Sequence, residues 1–364
     1  MQMELKKKSI VFVSGHDPVS DPGVEKKVSG LCAAAAAVGF TVNRVGEYCN
    51  SVSRRKRLLE KVYDLDSKYV VLRSFNSLNL LLLPQLRRLR GQGRVLILDQ
   101  PTPMSAYSGE VLAGRASVRR KLTDLLLLYL NGPWGQWIFD RIIQYGEESR
   151  YFSFGNRKRT VLTGNGIDIG RISLREPSWP SAEDEIRLLG VSSAVRGYVG
   201  YDRVIKAMGA WKRSGRKPAV RFDVVGSLPD DRLVGLAQEE GVSGEVRFLG
   251  RQDPDTLGRM YGDYSLAVGA LAPYRLGLRC SSVLKVREYC LAGIPFMTAG
   301  RDPDFPDGVP FRFEVPNDGS IAPILDVFDS FPARRAEFTD ESIRKYALGN
   351  LSYGKKFTIM TEGL

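Results

Sequence analysis

Short runs of β-branched residues alternate with helical patterns along this chain, and the alternation occurs twice. The first run, Ser9–Ser14, is followed by a Gly/Pro/Asp-rich turn at Gly15–Gly23 and a helical pattern at Val24–Val38. Strands separated by helices predict a parallel sheet that is covered on both faces. The other predicted elements of the first half are strands at Thr41–Val45, Tyr69–Leu72, Arg94–Leu98 and Arg159–Leu162 and helices at Ser53–Tyr63 and Leu78–Arg90.

A proline-containing polar stretch, Glu176–Glu185, interrupts the pattern, and the alternation then restarts. The predicted strands of the second half are Ile186–Val191, Val220–Val225, Val246–Leu249, Leu266–Leu271 and Ile294–Met297, and its helices are Tyr201–Trp211, Asp230–Glu240, Asp255–Tyr261 and Ser282–Ala292. A chain of 364 residues suits two domains. We expect an α/β fold with domains at 1–172 and 185–341, a linker at 173–184, and a final helix at about 342–364 that packs back on the first domain.

The charge of the chain is distributed unevenly between the two halves. Residues 1–180 carry 28 Lys and Arg against 16 Asp and Glu, whereas residues 181–364 carry 25 of each. The net charge of +12 therefore belongs to the first half, which suits an anionic membrane or nucleic-acid surface. Its basic clusters are Lys6–Lys8, Arg54–Arg57, Arg87–Arg90, Arg119–Lys121 and Arg157–Arg159.

The sequence lacks the motifs and residue types that several classes of protein require. No Gly-x-x-x-x-Gly-Lys-Ser/Thr run occurs, and the single histidine, His16, argues against a histidine-rich zinc site or a serine hydrolase. The four cysteines show neither metal-ligand spacing nor a disulfide framework, which fits a reducing cytoplasm. The apolar windows are shorter than the ~20 residues of a membrane span, so we expect a protein that lies on a membrane without crossing it.

The strongest candidate site lies between Tyr274 and Phe296, where a Gly/Ser loop leads into a helix with Lys285 in its first turn and Glu288 one turn later. The N–H groups at a helix start bind phosphate, and a lysine there adds a charge for a diphosphate. Glu288 would then accept hydrogen bonds from vicinal hydroxyls such as those of a ribose. The alternative is an ordinary exposed Lys–Glu pair.

Seven segments in chain order resemble the retaining family-4 glycosyltransferases of the GT-B type, and most of all the bacterial enzymes that build capsular and exopolysaccharides. They are Gly23-Val24-Glu25-Lys26-Lys27, Asp99-Gln100-Pro101-Thr102-Pro103, Asn165-Gly166-Ile167-Asp168, Gly200-Tyr201-Asp202-Arg203, Val225-Gly226, Phe248-Leu249-Gly250, and Tyr274-Arg275 leading to Leu284-Lys285 and Glu288-Tyr289.

The resemblance implies two Rossmann-like domains that face each other across a cleft, the first for the acceptor and the second for a sugar nucleotide, with no obligatory metal. Glu288 matches the glutamate that holds the ribose, and catalysis falls to Lys285, Glu288 and Arg279. The residues implied to bind the donor nucleotide and diphosphate are Ser282, Val283, Leu284, Lys285, Glu288, Arg196, Arg203, Gly226 and Gly23. Those implied for the acceptor are Asp99, Thr102 and Asn165.

The chain departs from the family pattern at two positions. The family has a glutamate eight residues before Glu288, where this chain has Cys280, and the usual Lys-Gly before the first helix of the second domain is Val199-Gly200. A phosphate-binding charge is therefore expected from Arg196, Arg279 or Lys285 instead.

The resemblance thus implies a hexosyltransferase of bacterial surface polysaccharide synthesis. Its donor would be a UDP- or GDP-sugar with no cofactor, its acceptor a lipid-linked saccharide, and its location the inner face of the cytoplasmic membrane. Two alternatives remain open: an NAD(P)-dependent oxidoreductase on a doubly wound fold, and a non-catalytic protein that binds a polyanion. Nucleic acid is not expected as a partner, because the basic clusters are not interleaved with aromatic residues.

Overall fold

The computed structural model describes residues 8–19, 21–49, 51–73, 80–100, 102–113, 117–170, 172–173, 184–228 and 231–364. Of the predicted linker at 173–184, only the two end residues are among those described. Lys6, Lys7 and Pro101 also lie outside the described residues. The chain divides into two compact units, one formed by Met1–Gly166 and Tyr353–Leu364 and the other by Ile167–Ser352. The segment that returns to the first unit is thus shorter than the predicted 342–364.

The first unit is built on a six-stranded sheet in the order β2-β1-β3-β4-β5-β6, and every pairing is parallel. Its strands are β1 (Ser9–Ser14), β2 (Thr41–Gly46), β3 (Tyr69–Arg73), β4 (Val95–Gln100), β5 (Arg141–Gln144) and β6 (Thr160–Leu162). Its helices are α1 (Pro22–Ala37), α2 (Val52–Glu60), α3 (Leu83–Gly91), α4 (Met104–Ala113), α5 (Val118–Asn131) and, from the end of the chain, α12 (Tyr353–Thr361).

Two apolar layers cover this sheet because alternate residues of each strand point to opposite faces. On one face, Ile10 and Phe12 of β1 belong to a cluster with residues of α1 and α12. On the other, Val11 and Val13 belong to a cluster with residues of α2 and α3. Gly30 and Gly166 allow the close approach of α12, since a Cβ on either would lie within 3 Å of the Tyr353 ring.

The second unit repeats the arrangement with a six-stranded parallel sheet in the order β12-β11-β10-β7-β8-β9. Its strands are β7 (Glu185–Ala194), β8 (Ala219–Ser227), β9 (Val246–Gly250), β10 (Leu266–Val268), β11 (Phe296–Ala299) and β12 (Arg312–Val315). Its helices are α6 (Tyr201–Arg213), α7 (Arg232–Glu239), α8 (Pro254–Met260), α9 (Leu284–Ala292), α10 (Ala322–Arg334) and α11 (Asp340–Asn350). Both units are therefore doubly wound α/β sheets, as the sequence predicts.

Among the described residues, no helix combines the length and apolar character that crossing a membrane requires.

Candidate active site

Helix α9 begins directly after the Gly/Ser loop and carries the two residues singled out by the sequence. Val283 precedes the helix and supplies no side-chain hydrogen bond to its first turn. Ser282 and Val283 are half-buried, and Leu284 at the helix start is exposed. Backbone N–H groups at an uncapped helix start are positioned to bind an anion.

Lys285 lies in the first turn of α9, and its ammonium contacts a neutral side chain. Its Nζ donates a hydrogen bond to the Tyr201 hydroxyl, at 3.1 Å, and lies 4.9 Å from the centre of the Tyr201 ring. Burial lowers the pKa of Lys285 to about 7, and among the described residues no carboxylate forms an ion pair with it. Burial also raises the pKa of Tyr201 well above its usual value, so the phenol stays protonated.

Tyr201 links α9 to the carboxyl end of β7. Its hydroxyl donates to the Val191 carbonyl at 3.1 Å, and the Val191 N–H donates to the Tyr289 hydroxyl at 3.0 Å. Lys285 is therefore positioned by a network anchored to the central strand of the sheet, at the edge where ligands of parallel α/β sheets bind.

Glu288 lies in the second turn of α9 and is half-buried. Burial raises the pKa of the Tyr261 and Tyr289 phenols, and the nearby negative charge of Glu288 raises it further. The carboxylate is thus near the same network, three residues beyond Lys285 on one helix.

A cavity of about 330 Å³ in the second unit opens beside Tyr201. Its lining carries Arg196 and Gly197 from the turn before α6, with Lys206, Arg232 and Arg275 as further basic residues. Arg275 is held by both oxygens of Asp202, at 2.9 and 2.7 Å, and donates to the Gly197 carbonyl. Arg196 is exposed at this wall, so it can offer charge to an anion without breaking an internal bond.

Two glycines shape this edge of the second sheet. Gly200 has a φ of +76°, and a Cβ on it would lie 2.9 Å from the backbone nitrogen of Ala272. Gly226 has a φ of +135°, and a Cβ there would lie 1.7 Å from the Ser192 carbonyl oxygen. Both positions exclude larger residues, and Gly226 allows the ends of β7 and β8 to approach closely.

Arg203 and Arg279, two of the other basic candidates, differ in their surroundings. Arg203 is 1% exposed, and its guanidinium donates to the carbonyls of Leu271, Pro316 and Ser320. It therefore fastens the loops behind the site and offers no group to a phosphate. Arg279 is exposed on the loop before α9. Cys280 is buried, and its backbone pairs with that of Arg301 in an isolated parallel β-bridge.

The remaining candidates lie in the first unit. Gly23 is exposed in the first turn of α1 rather than in the preceding loop. Asp99 is buried at the end of β4, between Lys27 and Arg73. Thr102 and Asn165 are half-buried, and the Thr102 carbonyl accepts a hydrogen bond from Gln100. The structure thus places both Lys285 and the cavity that Arg196 lines beside Tyr201 in the second unit. Ser282 and Glu288 lie on the loop and helix that carry Lys285, and Asp99 lies beside Lys27 in the first unit.

Tyr201 and Arg232 are parts of the site that the sequence does not predict. Tyr201 follows Gly200 at the start of α6, but nothing in the local sequence shows that its hydroxyl meets Lys285, which is 84 residues away. Among the described residues, no group of three or more His, Cys, Asp or Glu side chains is arranged to hold a metal ion.

The sequence matches no protein-family profile and no curated protein, but the fold matches solved structures over nearly the whole chain. Sucrose-phosphate synthase from Thermosynechococcus elongatus has a TM-score of 0.58 at 15% identity, over 97% of this chain and 96% of that one. The catalytic domain of starch synthase IV from Arabidopsis thaliana, solved with ADP and acarbose, has a TM-score of 0.61 at 12% identity, over 98% and 99% of the two chains. WaaG, a glycosyltransferase involved in lipopolysaccharide biosynthesis, has a TM-score of 0.53 at 15% identity, over 98% and 100%.

These neighbours are glycosyltransferases of the GT-B type. The chain therefore has the GT-B fold of two Rossmann-like domains. At identities of 12–15%, the likeness concerns the fold.

Proposed function

We propose that the protein is a retaining glycosyltransferase that moves a hexose from a nucleoside-diphosphate sugar to a lipid-linked saccharide in bacterial surface polysaccharide synthesis. The proposal depends on the surroundings of Lys285. Its ammonium lies at the start of a helix, its pKa is lowered, and its hydrogen-bond partner is the neutral phenol of Tyr201. Such a group gains most from a bound anion. The bound ADP of the starch synthase neighbour is consistent with a nucleotide as that anion.

In this proposal the donor diphosphate lies at the start of α9, against Lys285 and within reach of Arg196. Glu288 accepts hydrogen bonds from the ribose hydroxyls. As the sugar departs, negative charge grows on the diphosphate, and Lys285 stabilises that charge. The acceptor hydroxyl bonds to the anomeric carbon while the bond to phosphate breaks, and the departing phosphate oxygen takes its proton. The leaving diphosphate thereby guides the acceptor hydroxyl to the same face of the anomeric carbon from which the diphosphate departs, so the anomeric configuration is retained.

The direct test is release of nucleoside diphosphate from UDP- and GDP-hexoses, measured with and without a polyprenyl-diphosphate-linked saccharide. We expect release that depends on the acceptor and a product with the donor's anomeric configuration. Release with no transfer to any such acceptor would contradict the acceptor class. Reduction of NAD(P) that is added to the same mixtures would favour the oxidoreductase instead.

A membrane location is supported by helix α5 in the first unit. Only Leu128 and Asn131 are buried in this helix, while Val118, Leu122, Leu126 and Leu130 are each at least 60% exposed along one face. The helix begins with the basic residues Arg119, Arg120 and Lys121. An exposed apolar stripe with adjoining positive charge is the pattern of a helix that lies in an anionic membrane interface.

Aromatic residues extend this surface beyond the end of α5. Trp134, Trp137 and Phe154 contact one another through their rings and are 39%, 43% and 58% exposed. Exposed Arg157 and Lys158 follow Phe154 in the chain. Tryptophan at the headgroup level is typical of membrane-bound surfaces. We therefore place the membrane contact on α5 rather than on Arg54–Arg57 of α2, where Arg55 is half-buried.

Replacing both Leu122 and Leu126 with glutamate is expected to lower binding to anionic vesicles by about tenfold or more for each leucine, because a buried leucine contributes roughly 1.5 to 3 kcal/mol. Vesicle sedimentation at graded anionic lipid and salt measures the loss. Leu348→Glu, at an exposed leucine on α11, is the matched control and should keep its binding. Equal binding by the double variant and the control would rule out α5 as the contact.

A further inference from the structure

The single histidine of the chain, His16, lies just beyond the first strand of the first unit. It follows the end of β1 by two residues, at the sheet edge where ligands of open α/β folds bind. His16 is 7% exposed, and it precedes a surface turn in which Val19 is 88% exposed. Neither the proposed donor site nor the proposed membrane contact uses this side chain.

One ring nitrogen of His16 is held by a carboxylate. Its Nε2 lies 3.2 Å from an oxygen of Glu25 on α1. The guanidinium of Arg44 on β2 donates to both oxygens of that carboxylate, and these bonds lower the pKa of Glu25 to about 2. Because an ionised carboxylate can only accept, the proton of a neutral imidazole lies on Nε2. Nδ1 is therefore left as a hydrogen-bond acceptor.

The Nδ1 atom is one of three unpartnered polar atoms at this sheet edge. Nδ1, the Ser14 hydroxyl and the Arg73 Nε–H are buried without a hydrogen bond among the described residues. Ser14 is the last residue of β1 and is in register with Arg73 of β3. Both point to the face that α1 covers, and His16 contacts α1 through Glu25. Since buried polar groups are normally paired, this edge lacks a group that both donates and accepts.

A hydroxyl group has both capacities. Its O–H can donate to Nδ1 of His16 while its oxygen accepts from the Ser14 hydroxyl or the Arg73 Nε–H. An ionised carboxylate has no proton to donate to Nδ1, and an ammonium has no lone pair for the two donors. The chemistry of the three atoms therefore fits a neutral compound that carries hydroxyl groups.

We propose that His16 binds a hydroxyl group of the acceptor saccharide, with Ser14 and Arg73 as the other partners of that group. The inference rests on the proposed function, because glycosyl transfer is what gives the protein a saccharide acceptor. In that mechanism the reacting hydroxyl gives its proton to the departing phosphate oxygen, so His16 holds a different hydroxyl of the same saccharide. His16 thereby selects and orients the acceptor without taking a proton from it.

The single histidine allows a direct test by NMR. A full chain that is labelled with nitrogen-15 histidine and has no histidine tag gives the nitrogen resonances of one ring. We expect the proton on Nε2, and a shift of the Nδ1 resonance on addition of at least one of the methyl glycosides of glucose, galactose and N-acetylglucosamine. A proton on Nδ1, or no shift with any of the three glycosides, would overturn the inference.

Two substitutions separate ligand binding from a structural role of His16. His16→Gln keeps an N–H donor at the position of Nε2 and removes the Nδ1 acceptor, whereas His16→Asn places an amide oxygen at the position of Nδ1 and removes the bond to Glu25. Ligand-observed NMR measures affinity for the glycoside that shifts the resonance. We expect His16→Gln to bind it about three- to tenfold more weakly than wild type, and His16→Asn to bind it more tightly than His16→Gln.

The same affinity in wild type and His16→Gln, or weaker binding by His16→Asn than by His16→Gln, would make His16 a structural partner of Glu25 and overturn the inference. Should a histidine variant fail to fold, Ser14→Ala removes one donor and leaves the bond to Glu25 in place. It should also weaken glycoside binding, and unchanged binding would count against the site.

Calorimetry with UDP and GDP separates this inference from the proposed donor site, since His16 belongs to the first unit and Lys285 to the second. Binding of a nucleoside diphosphate with no effect of any glycoside on His16 refutes this inference alone. An effect of a glycoside on His16 with no nucleoside diphosphate binding refutes the donor site alone.

Discussion

Replacing Lys285 with methionine is expected to lower turnover of a nucleoside-diphosphate sugar by about a hundredfold, the usual effect of removing one group that stabilises charge in a transition state. Nucleotide affinity should fall less, because the charge on the diphosphate is greatest as the sugar departs. Diphosphate release at saturating donor measures turnover, and calorimetry measures affinity. Lys345→Met, at an exposed lysine of α11 that does not line the cavity beside Tyr201, is the matched control and should keep most of its activity.

The pH dependence of nucleotide binding offers a second test of Lys285. With a pKa of about 7 in the unliganded protein, Lys285 is charged below neutral pH, and a bound diphosphate should raise that pKa. Affinity is therefore full below about pH 7 and falls by up to tenfold per pH unit above it, until the pKa of the complex is reached. The Lys285→Met variant should lack this decline. A decline of equal slope in wild type and variant would remove Lys285 from contact with the diphosphate.

Replacing Glu288 with glutamine is expected to weaken nucleoside diphosphate binding by about 10- to 150-fold, because charge-assisted hydrogen bonds contribute roughly 1.5 to 3 kcal/mol. The change preserves shape, so the fold should persist. Calorimetric titration of the two proteins measures the difference. A 2′-deoxynucleotide should show a smaller loss, since one hydroxyl partner is already absent. The control is Glu239→Gln, at an exposed carboxylate of the cavity, which should bind no more weakly than wild type.

Glu288 would be excluded from the site if the folded glutamine variant bound the nucleotide as tightly as wild type. The same affinity loss for ribo- and deoxyribonucleotides would place Glu288 against another part of the ligand.

Ten of the twelve strands of the described residues follow from local pattern, as do the helices α1–α3 and α6–α9. The pattern does not predict the strands β5 and β12 or the helices α4, α5 and α10, and the single helix expected at about 342–364 is the two helices α11 and α12. The run Ser9–Ser14 is the strand β1 with the predicted bounds, and Lys285 lies in the first turn of α9 as expected. Small differences have local causes. Of the helix predicted at Leu78–Arg90, residues 78–79 lie outside the described residues, and Leu80–Leu82 form a 3-10 turn. The α-helix α3 begins at Leu83, where Pro84 occupies a position in the first turn that needs no N–H donor.

The local sequence pattern does not predict the role of a side chain whose partners are distant in the chain. Arg203 directly follows the start of α6, so its sequence position suits a phosphate ligand, yet its acceptors are carbonyls more than 60 residues away. The pairing of Lys27 with Asp99 spans 72 residues. Such contacts arise when parallel strands and their covering helices bring distant segments to one sheet edge, which periodicity does not encode.

Helix α5 shows a different limit. Its leucines have the spacing of a buried amphipathic face, and sequence periodicity treats an apolar stripe as core. In the structure most of them are exposed. The distinction between a core face and an interaction face depends on what packs against it, and the neighbouring elements supply that information only after folding.

The central claim is that the second unit binds a nucleoside diphosphate at the start of α9, and calorimetric titration with UDP, GDP, ADP and NAD tests it most directly. The account predicts that one nucleoside diphosphate binds at one site per chain, that its affinity falls with Glu288→Gln, and that NAD does not bind. Binding of NAD with no response to any nucleoside diphosphate would contradict the account, as would nucleoside diphosphate binding that neither Glu288→Gln nor Lys285→Met changes.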